Sequence, residues 1–133
     1  MIVTEITPQD YWYKALYKSC FGKPDVWFEN LNHCRYKAFH IEQKAFLIIQ
    51  IVDSNEFEII TIGVHPKFRR QGLAKNLLNN IFKNAQKGVK FFLEVRSDNL
   101  GAIAFYQSLG FKILSVRKQY YQGVDAFSMG LIF

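Results

Sequence analysis

Apolar residues recur along this chain in two periods, two and about three and a half, and the switches between them mark out its elements. Ile2 to Ile6 (IVTEI) alternates and predicts a strand. Thr7-Pro8 then has the form of a helix start, with Thr7 as N-cap and Pro8 in the first turn, ahead of a helix over Gln9 to Ser19. Gly22 and Pro24 break that helix, and a second short helix is expected from Asp25 to Leu31. Tyr36 to Ile41 and Ala45 to Val52 form a hairpin around Glu42-Gln43, and Glu56 to Val64 is a further strand stopped by Pro66. Leu73, Leu77, Leu78, Ile81, Phe82 and Ala85 share one helical face, with Gly72 near its beginning and Gly88 near its end. Phe91 to Val95 is a short apolar strand. Asn99 to Leu109 is a helix with Ile103 and Phe105 buried, ending at Gly110. Phe111 to Tyr120 and Val124 to Phe133 close the chain as a hairpin around Gln122-Gly123. This order, β-α-α-β-β-β-α-β-α-β-β, implies an α/β (α+β) fold: a mixed central sheet of about seven strands with helices on both faces.

Composition narrows the class. Half of the 133 residues are hydrophobic and 17% are aromatic, enough for a real core, so the expectation is one globular domain over residues 1–133 and not a disordered chain. No run of about 18 apolar residues is present. The opening MIVTEITPQD has no basic region followed by an apolar stretch. A cytoplasmic protein without a membrane partner is therefore expected. Cys20 and Cys34 lack CxxC spacing, and His33, His40 and His65 are scattered, so the cysteines are read as reduced thiols and no metal is expected.

Charge points to an anionic partner. The net charge is +6. Between Ile59 and Leu93 stand Lys67, Arg69, Arg70, Lys75, Lys83, Lys87 and Lys90, with no Asp or Glu among them. A phosphate-bearing cofactor or nucleic acid would suit that stretch. No nucleic-acid motif accompanies it, so no specific nucleic-acid site is expected. Asp53, Glu56 and Glu58 cluster upstream and form either an attraction for a cationic substrate or a solvent-facing turn.

The segment Val64 to Ala74 carries the most chemistry: a strand ends, a basic loop follows and a helix begins at once. The first turn of a helix has N–H groups without intrahelical partners, and the helix dipole adds positive charge there, which suits phosphate. Gly72 removes a side chain where an anion would approach the backbone, Ala74 keeps the surface low, and Arg69 and Arg70 add charge-assisted contacts. No GxxxxGK[ST] or GxGxxG motif is present.

The run Arg69-Arg70-Gln71-Gly72-Leu73-Ala74 instead matches the Q/R-x-x-G-x-G/A signature of the GNAT acetyltransferases. Phe91 to Lys112 (FFLEVRSDNLGAIAFYQSLGFK) resembles the strand and helix that follow it there, in the pattern L-x-V-x-x-x-N-x-x-A-x-x-F/L-Y-x-x-x-G-F. Leu93, Val95, Asn99, Ala102, Phe105, Tyr106, Gly110 and Phe111 fit that pattern. L-E-V-R-x-x-N, together with Arg117-Lys118-Gln119-Tyr120-Tyr121 and Asp125-Ala126, is similar to the ribosomal-protein-alanine N-acetyltransferase (RimI) family. The resemblance is close from Glu58 to Met129. It implies the GNAT fold, acetyl-CoA as co-substrate and transfer of its acetyl group to the α-amine of an N-terminal alanine on a ribosomal protein, by a monomer or weak dimer. It also implies Glu94 as general base and Tyr106 as general acid. The backbone of Ile62, Gly63 and Val64 would meet the pantetheine and acetyl group. Arg70, Gln71, Gly72, Leu73, Ala74 and Lys75, with Arg69, would form the pyrophosphate loop, and Asn99 would be a further coenzyme contact.

Residue chemistry agrees with this assignment and leaves alternatives. Glu94, between Leu93 and Val95, would gain basicity if buried. It could equally be an edge-strand carboxylate paired with Arg96 or Lys112. Tyr106 could serve core packing, Asn99 a helix cap, and Tyr120 and Tyr121 either hairpin packing or the acceptor site. A lysine side chain or a small-molecule amine is the alternative acceptor.

Overall fold

The computed structural model describes residues 2–23 and 35–133. The expected helix from Asp25 to Leu31 lies outside the described residues, as do His33 and Cys34. The elements are β1 (Val3–Glu5), α1 (Trp12–Phe21), β2 (Tyr36–Ile41), β3 (Ala45–Asp53), β4 (Glu56–Val64), a 3-10 turn (Pro66–Phe68), α2 (Leu73–Phe82), β5 (Lys90–Arg96), α3 (Leu100–Ser108), β6 (Lys112–Tyr121) and β7 (Val124–Ile132). The strands hydrogen-bond in the order β1-β2-β3-β4-β5-β7-β6, the mixed seven-stranded sheet expected. By its internal contacts the chain divides into two compact units, Met1–Val52 with Ile59–Ala85, and Asp53–Glu58 with Gln86–Phe133.

In the first unit β1, β2 and β3 form an antiparallel meander, with Val3 opposite Ile41 and Ile41 opposite Ala45. Glu42 and Gln43 turn that hairpin at positive φ, 49° and 57°. Ala45 to Ile49 is buried without interruption, as a strand covered on both faces must be. Helix α1 lays Tyr13, Leu16 and Tyr17 against Ile6, Ala38, Phe46 and Ile48. Rings of Tyr13 and Phe46 meet edge to face at 5.1 Å. Its start differs from the expectation. Thr7 does not cap it: the Thr7 backbone N–H donates to the Asp10 carboxylate at 2.8 Å, and Asp10 N–H returns to Thr7 O at 2.9 Å. That closed turn uses up the capping geometry, and the helix begins only at Trp12. Gly22, left-handed at φ 70°, ends it with an N–H bond to Lys18 O. Helix α2 buries Leu73, Leu77 and Leu78 and stops at Phe82, short of Ala85 and Gly88.

In the second unit the first residues of β4 run parallel to β5, Glu56 opposite Lys90 and Glu58 opposite Phe92. β5 pairs antiparallel with β7 from Lys90↔Ile132 to Arg96↔Ala126, and β6 covers the other edge of β7. Phe91, Leu93, Val95, Ile103, Tyr106, Phe111 and Met129 are buried. Asn99 caps α3, its side chain accepting the Ala102 N–H at 3.2 Å. The expectation that Phe105 is buried is corrected: Ile103 and Tyr106, three apart, take the inward face, and Phe105 is only partly buried on the flank.

Gly63 shows how tightly β4 is packed. A Cβ there would stand 2.5 Å from Phe46 Cε1, 2.9 Å from its Cζ and 3.2 Å from Cys20 Cβ. Gly63→Ala is therefore expected to cost about 1–3 kcal/mol by overpacking, read as a lower urea midpoint; an unchanged midpoint would show that Phe46 yields freely.

Candidate active site

The first unit carries the turn from β4 into α2. The His65 N–H donates to Lys44 O at 2.8 Å, and its Nδ1 accepts the Lys67 N–H at 3.1 Å, which fixes the 3-10 turn. Arg70 (φ 64°) and Gly72 (φ 77°) are both left-handed, and together they aim the chain into the helix. No side chain caps α2, and nothing lies within 4 Å of where a Gly72 Cβ would project. A ten-residue helix with an uncapped first turn and open space at its N-cap fits an approaching phosphate. Around it Arg70, Gln71, Gly72 and Lys75 are exposed, Ala74 is half-buried, and Leu73 belongs to the core. Arg69 is engaged elsewhere: its Nε donates to Val64 O at 3.2 Å and its Nη2 to Cys20 O at 3.4 Å. It ties the loop to the end of α1. Ile62 and Val64 are half-buried, while Gly63 faces the Phe46 ring.

The second unit carries a cluster of charge on one face of its strands. Period-two alternation puts Phe91, Leu93 and Val95 in the core and Glu94 on the opposite face. Glu94 is not an edge-strand residue, because β5 lies between β4 and β7. Its side chain is 21% exposed, and its Oε1 is 3.1 Å from the Arg117 Nε. Neither Arg96 nor Lys112 takes that place: Arg96 holds Asp98 through two bonds of 3.1 Å. Arg117 comes from β6 and reaches Glu94 across β7, where Ala126 and Ser128 are the intervening small residues. Glu58 joins this cluster. Burial raises its carboxyl above the usual range, the Glu94 charge raises it further, and Arg117 pulls it back. Tyr121 lies close by: burial raises its phenol, as do Glu94 and Tyr120, while Arg96 and Arg117 lower it. The Arg117 guanidinium sits over the Tyr120 ring at 5.2 Å, and that of Arg96 over Tyr121 at 5.8 Å.

Tyr106 is not perturbed by these charges: burial alone pushes its phenol up to about 12. Its ring packs against Phe111 at 5.6 Å and Phe105 at 5.3 Å. The sequence names Glu58 only within an acidic cluster and Arg117 only within a family-like run, and neither is expected beside Glu94. The available signal was strand parity, since Glu58 falls on the same β4 face as Glu56 and Ile60, opposite the buried Ile59. Among the described residues no group of three or more His, Cys, Asp and Glu is arranged to hold a metal ion, and no helix is long and apolar enough to cross a membrane.

The raised Glu58 carboxyl has a consequence for stability. Its ionised form is disfavoured in the fold, so a cost appears as pH rises from the ordinary carboxylate range through the raised one. Glu58→Gln should therefore raise Tm at neutral pH, and the gain should vanish below about pH 4, where the wild-type group is protonated. A Tm series across that range checks it; a gain that persists in acid would assign the effect to packing.

Comparison with known proteins places the chain in a family. The model of the acetyltransferase (GNAT) family matches residues 7–111. The chain is 42% identical over 76 residues to the N-alpha-acetyltransferase RimI of Mycobacterium tuberculosis, covering 56% of this chain and 48% of that protein. It is 40% identical over 97 residues to the ribosomal protein bS18-alanine N-acetyltransferase of Escherichia coli, covering 68% of this chain and 65% of the relative. The matches thus span about half to two thirds of the length of these curated relatives. The crystal structure of the ribosomal-protein-alanine N-acetyltransferase from Escherichia coli superposes with a TM-score of 0.86 at 31% identity, over 98% of this chain and 92% of that one. With the strand order, the uncapped glycine turn into α2 and these matches in agreement, the chain belongs to the acetyltransferase (GNAT) family.

Proposed function

We propose that this protein is an acetyl-CoA-dependent N-acetyltransferase that acts on the N-terminal α-amino group, an alanine, of a ribosomal protein. The observation that carries the reading is Glu94: a shielded carboxylate on a central strand, paired with Arg117 at 3.1 Å, within the L-E-V-R-x-x-N run that resembles the family pattern. Acetyl-CoA, when bound, supplies the acetyl group as an activated thioester. Exposed Arg70, Gln71, Gly72 and Lys75, with the first-turn N–H groups of α2, would hold its pyrophosphate, with Leu73 and Ala74 shaping that turn. The backbone of Ile62 to Val64 would run beside the pantetheine and offer an N–H to the developing oxyanion. Asn99 would add a coenzyme contact beyond its capping role, and Arg69 would act by fixing the loop.

Glu94 is the base. It accepts the proton that the amine loses on attack, directly or through a water. An α-amine, with a pKa near 7.7–8.0, is roughly a tenth neutral at pH 7, whereas a lysine at about 10.4 is neutral in fewer than about one molecule in a thousand. An α-amine therefore asks little of the base. Tyr106 is the donor to the departing sulfur. A phenol at about 12 keeps its proton at neutral pH and is always ready to donate. Handing that proton fully to a thiolate of ordinary affinity, about 8.5, would cost roughly 5 kcal/mol, so its contribution in the transition state is chiefly a strong hydrogen bond. No covalent enzyme intermediate is required.

Two variants test the roles. Glu94→Gln should bind acetyl-CoA with unchanged affinity and lose about 100-fold or more of its turnover at neutral pH, recovering part of it in alkali as the amine deprotonates unaided. Tyr106→Phe should slow transfer about 10- to 100-fold with little change in urea midpoint. Full turnover by either variant removes that residue from the chemistry. Turnover of lysine peptides or small amines in preference to an N-terminal alanine would move the acceptor to the competing class.

A further inference from the structure

We propose that Arg117 is a positioning residue for the acceptor half of the reaction: it holds Glu94 in place from the edge strand and offsets the second carboxylate, Glu58, leaving one net negative charge to meet an ammonium-bearing acceptor. The inference rests on the reading of Glu94 as base. Glu58 and Glu94 project from neighbouring parallel strands on one face, two residues out of register, since Glu58 pairs with Phe92. Two carboxylates so placed repel each other, and a single guanidinium serves both: it is 3.1 Å from Glu94 and its charge also acts on Glu58. Arg117 spans from β6 over the whole of β7 to do this. The path is clear because the β7 positions beneath it are Ala126, opposite both Arg117 and Arg96, and Ser128, opposite Glu94. The Tyr120 ring, 5.2 Å from the guanidinium carbon, braces it from one side.

The charges that bear on this pair come from three strands. Glu58 comes from β4, Glu94 and Arg96 from β5, and Arg117, Tyr120 and Tyr121 from β6, with Arg96 paired to Asp98 at 3.1 Å. Arg96 and Asp98 offset each other, so ionised Glu58 and Glu94 with Arg117 leave one negative charge. That balance attracts a cationic amine, whereas two free carboxylates would bind its ammonium form too well and resist releasing it as the neutral nucleophile. The Nε of a planar guanidinium, 3.1 Å from Oε1, is a directional donor and orients the Glu94 carboxylate as a point charge would not.

Arg117→Gln should reduce kcat about 10- to 100-fold with the KM for acetyl-CoA unchanged. Because the side chain is 56% exposed, Tm should shift by no more than about 4 °C. The acid limb of its kcat/KM profile should move to higher pH, since Glu58 and Glu94 then face each other without the cation. Glu58→Gln in the same background should move that limb back. Arg117→Lys should restore the position of the limb and only part of kcat. Arg117→Gln with unchanged kcat and an unmoved acid limb overturns the proposal, as does a loss of kcat with no movement of the limb, which would indicate a merely structural role. Glu94→Gln, measured alongside, separates the two ideas. If it is inactive while Arg117→Gln is normal, only the positioning role fails; if it is fully active, the underlying assignment of the base fails.

Discussion

A carboxylate in the middle of an apolar strand has to be compensated, and the second unit is arranged around that requirement. The alternation of β5 commits Phe91, Leu93 and Val95 to the core and so commits Glu94 to the other face. The compensating charge arrives from two strands away, which restricts the strand between to small residues along the path. Ala126 and Ser128 meet that restriction. Gly130 extends the same pattern, since a Cβ there would lie 2.7 Å from Leu114 Cδ1 and 3.2 Å from the Phe92 ring. The exposed edge strand β6 thus has a task that its burial pattern alone does not suggest: it delivers Arg117.

The first unit solves a different problem, presenting backbone N–H groups at a helix start. The left-handed residues Arg70 and Gly72 reverse the chain within a short span. Leu73 anchors the first turn of α2 in the core, so the turn is rigid without a side-chain cap. Arg69 and His65 bind the loop to neighbouring backbone at Val64, Cys20 and Lys44. Of two adjacent arginines, one is therefore spent on holding the loop and the other remains exposed beside it. Gly63 answers to packing, because its missing side chain is the space that the Phe46 ring fills.

Much of this was legible in the chain because the periods were clean. The pattern over Glu56–Val64 predicts the strand with its observed ends, and the hairpins around Glu42-Gln43 and Gln122-Gly123 turn where those dipeptides stand. The misreadings have local causes. Thr7-Pro8 has the composition of a helix start, but Asp10 offers the Thr7 N–H a nearer partner and closes a turn first. Phe105 is more apolar than Tyr106, yet helix geometry gives the inward face to Tyr106. Glu94 and the glycine turn could be picked out because their motifs are contiguous. The meeting of Arg117 and Glu58 with Glu94 could not, because it depends on strand order, with β4 beside β5 and β7 inserted between β5 and β6, and no local pattern encodes that.

The most direct measurement is free-thiol release from acetyl-CoA with a short peptide beginning in alanine, compared with the same peptide blocked at its N-terminus. Turnover is expected to depend on the free peptide and to fall to the peptide-free rate with the blocked one. Equal turnover of both peptides, or turnover confined to lysine or small-molecule amines, would contradict it.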